Sequence, residues 1–370
     1  MSRRNLGTKV SVIIFSLLCL SSITRVYAEN YPPTVILGGY ARGVVYSQEE
    51  APADYLGSFD INGLLGWRKP LTAGGYLAVS SSVSLSNYFL GVQQIDDQES
   101  LSVEAGLPAG NNTIILGAGF DSSLWGTGIY SEYFRPQWKT KYIIQRGRRK
   151  LEPYLAYKGR IFMQPQDIED VFYQGAQLGF EYRPSVRHGY GLSLEGGWES
   201  WYDYPIYEET GDVADQKRND YLFKLEGTAD GLLGYFVDWK LQTALKLRLS
   251  NANRYIETET PAVLESNTET SIEGTADFSL ALSPTRKHNI QLTPYLSCKY
   301  YLERDALAED GTRTGQNLKI ATTGAEVRFD YTTNDEWYLV GKLSGAYRHS
   351  NEIFEKGWNI SASGGLEYSF

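Results

Sequence analysis

From Trp358 to the last residue the chain alternates without a break. Counted back in twos, Phe370, Tyr368, Leu366, Gly364, Ala362, Ile360 and Trp358 are apolar or amphipathic, and Ser369, Glu367, Gly365, Ser363, Ser361 and Asn359 between them are small or polar. Period two makes a β-strand with one apolar and one polar face. An aromatic at each end of the apolar face suits a bilayer, where ring side chains settle at both water interfaces. Lipid offers the backbone no hydrogen bonds, so strands of this kind can cross it only in a sheet that closes on itself.

The segment resembles the last strand of Gram-negative outer-membrane β-barrels, whose terminal aromatic and preceding alternate hydrophobics are read by the assembly machinery. The resemblance implies an all-β transmembrane antiparallel up-and-down barrel, with Leu366, Tyr368 and Phe370 as the assembly signal. It also implies a lipid bilayer and the barrel-assembly machinery as partners, but it names no substrate. The other end agrees about compartment. Arg3, Arg4 and Lys9 precede an apolar run from Val10 to Leu20, and Val26-Tyr27-Ala28 offers a small-residue cleavage site. That pattern reads as a secretory leader, cleaved after Ala28, too short and too poorly flanked to span a membrane. Cys19 is a poor lipoprotein cysteine, because Leu18 before it is large. The expected organisation is a leader over 1–28 and a barrel over 29–370.

Loss of the leader takes four of the 35 basic residues and none of the 44 acidic ones, moving the net charge from −9 to −13. Such a balance argues against nucleic acid as a partner, since phosphate binding needs clustered cations. Only Cys298 would remain, so an internal disulfide is excluded. No later stretch is apolar for the 18 or so residues that a spanning helix requires.

Read backwards from the last strand, alternating segments fall at 337–350, 317–331, 290–303, 270–283, 235–250, 219–230, 190–204, 171–183, 151–163, 130–145, 112–121, 99–107, 74–89, 57–68 and 34–47. They predict sixteen strands, an even number that puts both ends of the chain in the periplasm. Fourteen or eighteen remain alternatives, because Ser80–Ser86 is nearly featureless. Connectors expected on the periplasmic side are tight, among them Pro108–Asn111 and Arg146–Lys150. Those on the other side reach Pro205–Arg218, Asn251–Glu269 and Arg304–Gln316. In the later strands the charges keep to the polar register except Lys319, which lies near a loop. A soluble sandwich would use strands about half as long, and no fixed-period repeat suggests a solenoid or propeller. Outward aromatics cluster at two levels. Trp67, Tyr142, Tyr182, Tyr190, Trp239, Tyr331, Trp337 and Phe370 mark one end, and Tyr202, Tyr300, Tyr347 and Trp358 the other.

Catalytic and metal patterns are weak. His188 and His288 fall in polar turns. His349, Ser350 and Glu352 are near in sequence, but strand alternation sends neighbours to opposite faces. The Ser/His/Asn pattern of outer-membrane phospholipases is absent. Glu208, Glu209, Asp212 and Asp215 lack the ligand spacing and turn glycine of a calcium loop. No cofactor is expected, and the chain is not read as an enzyme.

The chemistry therefore lies in the lumen. The expected pore-lining residues are Lys158, Arg160, Arg183, Glu195, Glu199, Lys224, Glu226, Lys240, Lys246, Arg248, Glu273, Asp277, Lys299, Arg328, Lys342 and Arg348. So many charges need water or near-complete pairing, and sixteen strands enclose more width than side chains fill. The expected function is a porin-like passive channel for small hydrophilic solutes, weakly cation-preferring. Reversing Lys240, Lys246 and Arg248 to Glu is expected to strengthen that preference without changing the fold. General porins resemble the chain in strand number and terminal Phe, but fold a long third loop inward. Here the third outer connector, Ser122–Ile129, is short, and the longest is 251–269. The rival readings are a non-conducting surface barrel that binds a partner through its loops, and an outer-membrane hydrolase. Oligomeric state stays open.

Overall fold

The computed structural model describes residues 34–48, 54–71, 74–90, 94–123, 133–162, 171–201, 204–208, 210–234, 236–256, 263–285, 287–333 and 337–369. The expected leader, Cys19, Tyr202, Glu209, Phe370 and most of the connector after Ser123 lie outside them. The strands are β1 (Thr34–Gln48), β2 (Asp54–Pro70), β3 (Tyr76–Leu90), β4 (Gln94–Ala109), β5 (Asn112–Ser123), β6 (Tyr133–Arg146), β7 (Arg149–Phe162), β8 (Val171–Ser185) and β9 (His188–Trp201). They continue as β10 (Asn219–Leu233), β11 (Val237–Ser250), β12 (Arg254–Ile256), β13 (Val263–Glu265), β14 (Ser271–Thr285), β15 (His288–Leu307), β16 (Arg313–Thr332), β17 (Trp337–Ser350) and β18 (Gly357–Ser369).

Sixteen of these form one closed barrel, in which each strand pairs with its neighbours in the chain while β12 and β13 form a separate two-stranded sheet. Closure comes from β18, which pairs antiparallel with β17 on one side and β1 on the other. Leu366 lies opposite Leu339 and Gly39. The terminal alternation thus belongs to the strand that seals the sheet, leaving no barrel edge unpaired.

One end of the barrel carries tight turns. Gly110 and Gly147 sit there at φ +64° and +61°, within hairpins closed by Ala109↔Asn112 and Arg146↔Arg149. Two-residue hairpin turns demand left-handed backbone, which glycine adopts at no steric cost. The opposite end carries the long connectors. Two of those depart from the sequence reading. β15 and β16 continue past the expected ends, pairing Asp305↔Asn317 and Leu307↔Arg313, so the 304–316 loop shrinks to the turn 308–312. Beyond the bilayer no lipid face enforces alternation, and Glu303-Arg304-Asp305 hides a strand from a pattern search. The 251–269 connector is likewise not bare loop: Arg254 pairs with Glu265 and Ile256 with Val263. β4 also begins earlier than expected, at Gln94.

Burial is inverted relative to a soluble protein. Large side chains such as Leu178 (64% exposed), Leu194 (57%) and Leu343 (56%) stand open on the outer face. This is the lipid-facing band of a membrane barrel. Cross-strand aromatic pairs flank it, with Tyr182↔Tyr190 and Trp337↔Tyr368 at the short-turn end and Tyr347↔Trp358 at the long-loop end. The rings of Trp337 and Tyr368 are 4.6 Å apart. Lys319, the exception in register, lies over the Tyr300 ring at the long-loop end. A small packed cluster, Tyr301, Ala306, Leu318 and Ile320, sits where β15 and β16 rise toward the long loops.

Candidate functional site

Strand pairing places the charged registers on one face, opposite the leucine band, and ion pairs run along that wall. Lys141 on β6 reaches Glu152 at 2.6 Å and Glu181 at 3.1 Å, tying three strands. Lys158 bonds Glu195 across β8 at 3.0 Å, and Arg183 bonds Asp230 across β9 at 3.1 Å. Glycines clear those paths. A Cβ at Gly189 would lie 2.5 Å from Asp230 Oδ1, and one at Gly175 would strike the Tyr173 hydroxyl, which itself donates to Glu195. Lys224–Glu226 (2.5 Å), Arg328–Asp330 (2.8 Å), Lys342–Glu326 (3.0 Å) and Arg348–Glu355 (2.6 Å) continue the lattice. Lys299 donates to the Tyr301 hydroxyl at 2.6 Å. Arg160 faces Tyr173 on β8, Lys240 lies between Asp230 and Ser279, and Lys246 between Lys224 and Glu273. Another part of the wall is lined by uncharged hydroxyls, with Ser80–Ser102 and Ser82–Ser100 both 2.7 Å apart.

Arg248 differs from the other expected lining residues. It gives Nη1 to Asp220 at 2.8 Å and lies 3.1 Å from Glu199 through Nη2. Asp220 is fully buried and also accepts from Arg218 Nη2 (2.8 Å), Trp201 Nε1 (3.1 Å) and the Ser250 hydroxyl. The Arg218 guanidinium lies 4.0 Å from the Trp201 ring centre and 4.4 Å from that of Tyr204. Reversing Arg248 would set a carboxylate against this buried acid, so it is not an independent lever on selectivity as the sequence suggested. A second knot joins Arg304 to Glu269 (3.4 Å), Glu352 (3.7 Å) and Glu355 (3.8 Å), and Glu352 also accepts the Leu307 amide.

The sequence reading missed Asp220, Arg218 and Arg304, and left Lys141 out of the lining set. Lys139 and Lys141 alternate like their neighbours and could have been found by register. Asp220 shares the polar register of Lys224 and Glu226 and could have been found the same way, whereas the contacts of Arg218 and Arg304, which involve connector residues, could not. The histidines do not converge. His188 and His288 occupy short-turn hairpins, and Ser350 is buried at the other end, where its hydroxyl accepts the Glu352 amide.

A concavity of about 500 Å³ opens on the wall between β7 and β14. Glu181, Lys224, Glu226, Lys246, Glu273 and Asp277 are its charged lining.

No protein-family model matches the chain, and no curated protein matches it by sequence. Among solved structures, OccAB1 of Acinetobacter baumannii is similar over 91% of this chain and 97% of its own, at TM-score 0.51 and 8% identity. The outer-membrane protein OprD of Pseudomonas aeruginosa aligns over 91% and 94%, at TM-score 0.47 and 10% identity. OmpT of Vibrio cholerae aligns over 91% and 98%, at 0.43 and 10%. At such identities the likeness concerns the fold, which is that of Gram-negative outer-membrane β-barrels.

Proposed function

We propose that the protein is a passive outer-membrane channel for small hydrophilic solutes, with its short turns and both chain ends toward the periplasm. The observation that carries this reading is the direction of the inner-wall ion pairs. Those named above lie within one strand or join strands that are adjacent or one strand removed, whereas the opposite wall of a sixteen-stranded barrel is eight strands away. The charges thus brace the wall instead of lacing the lumen shut, and a barrel this wide leaves room for water. The excess of acids over bases in the chain supports a weak preference for cations. Leu366 and Tyr368 on β18, with Phe370, are proposed to carry the address read by the barrel-assembly machinery.

Purified protein in a planar bilayer is expected to give ohmic current steps with mild cation selectivity. Changing Lys240 and Lys246 to Glu, with Arg248 left intact, is expected to shift the reversal potential further toward that of the cation. A barrel that inserts but passes no current would overturn the channel and favour a surface-binding role for the loop-rich end. An anion-selective double variant would show that the wall does not set the field.

A further inference from the structure

The wall concavity contains two charged groups of opposite sign that the protein leaves unused. Lys224 is held by Glu226. Glu226 accepts from Gln177 (3.1 Å) and Ser193 (3.3 Å), and Glu273 accepts the Ser297 hydroxyl at 3.3 Å. Among the described residues, Lys246 and Asp277 have neither a hydrogen bond nor an ion pair within 4 Å. Lys246 is opposite Glu273, and Asp277 is opposite Gln242. Asp277 also faces Tyr295 on β15. That ring lies instead over Gly324, where an added Cβ would be 2.4 Å from Tyr295 Cζ. The glycine thus gives the tyrosine a seat away from the carboxylate.

Resting on the channel reading, we propose that this concavity is a subsite for short zwitterionic solutes whose ammonium and carboxylate are well separated, as in a free di- or tripeptide. Lys246 takes the carboxylate and Asp277 the ammonium. Lys246 pairs with Glu273 and Asp277 with Gln242, so the two residues lie four positions apart on paired strands, about 14 Å between Cα atoms. Extended triglycine is about 10 Å end to end, and a charge-assisted hydrogen bond of about 2.8 Å at each end lets it span that gap. An α-amino acid, with both charges on one carbon, cannot touch both groups at once. The volume lies within the range of small-molecule sites, and charge-assisted contacts at both ends supply orientation as well as affinity. Around that lysine the row alternates in sign: Lys224 stands opposite Lys246 but is paired with Glu226, and Glu273 stands between Lys246 and Lys299.

The test is triglycine binding to the folded, detergent-solubilised barrel by saturation-transfer NMR, alongside single-channel current noise. Triglycine is expected to bind at least tenfold more tightly than glycine or N-acetyl-triglycine amide. Asp277→Asn and Lys246→Gln should each weaken it at least tenfold, whereas Ser82→Ala on the hydroxyl-lined wall should leave binding unchanged. The comparison of free with end-blocked tripeptide uses the native chain and does not depend on a variant folding. Equal binding of the free and blocked peptides, or none of either, would overturn the subsite. A conducting barrel indifferent to triglycine removes the subsite alone. One that binds triglycine without passing current upholds the subsite and removes the channel.

Discussion

Asp220→Ala is expected to lower the stability of the folded barrel by about 3–5 kcal/mol, the usual effect of removing one partner from a buried ionic cluster. The carboxylate is wholly buried and receives Arg218, Arg248, Trp201 and Ser250 together. Without it Arg218, whose side chain is 3% exposed, becomes a buried cation beside a second arginine. Glu199 still lies near Arg248, but among the described residues Asp220 is the acid that pairs with Arg218. Lys342→Gln is the control. It breaks the Lys342–Glu326 pair, whose side chains are 43% and 34% exposed, and should cost less than about 1 kcal/mol. Urea unfolding in lipid vesicles, followed by tryptophan fluorescence, separates the two. Equal midpoints would mean that the Asp220 cluster adds nothing to the fold.

Arginine at Leu245 or Phe278 is expected to cost about 2–4 kcal/mol, because each places a cation in hydrocarbon near mid-strand. Both stand on the outer face, 52% and 37% exposed. Gln242→Arg and Ser279→Arg put the same charge on the polar face one strand position from a lipid-facing residue. Gln242 lies opposite Asp277, so a cation there meets a carboxylate and water. Ser279 lies opposite Lys240, where like charges repel, but water screens them. If the outward and inward variants unfold at the same urea concentration in vesicles, the assignment of residues to the two faces is wrong.

These two experiments touch different levels of what the chain encodes. The face assignment was legible without coordinates. Tyr235–Ser250 sets Trp239, Leu241, Leu245, Leu247 and Leu249 against Asp238, Lys240, Gln242, Lys246 and Arg248, and β11 presents those sets to opposite sides. A period of two is local, and lipid on one side with water on the other enforces it residue by residue. The number of barrel strands was legible for the same reason, since each crossing needs its own alternating run between turn signals. Where the bilayer ends, the enforcement ends too. The sequence reading therefore stopped β15 and β16 short and took 251–269 as plain loop.

The candidate site divides along the same line. Its lining residues were nearly all identifiable by register, but not which of them are committed to one another. Lys240, Lys246 and Arg248 are equivalent in a pattern of alternate cations. In the barrel Arg248 is tied to Asp220 and Glu199, while Lys246 faces an open cavity. That distinction depends on β10 lying beside β11 and β9 beside β10, each in one particular register, and on the connector that brings Arg218 to Asp220. Alternation is a property of neighbouring residues, and the sequence by itself determined the closed, lipid-facing sheet and its two faces. Ion pairing depends on which distant residues share a rung, and only the tertiary structure decided which charges pair along the wall and which, like Lys246 and Asp277 among the described residues, line the cavity without an ion-pair partner.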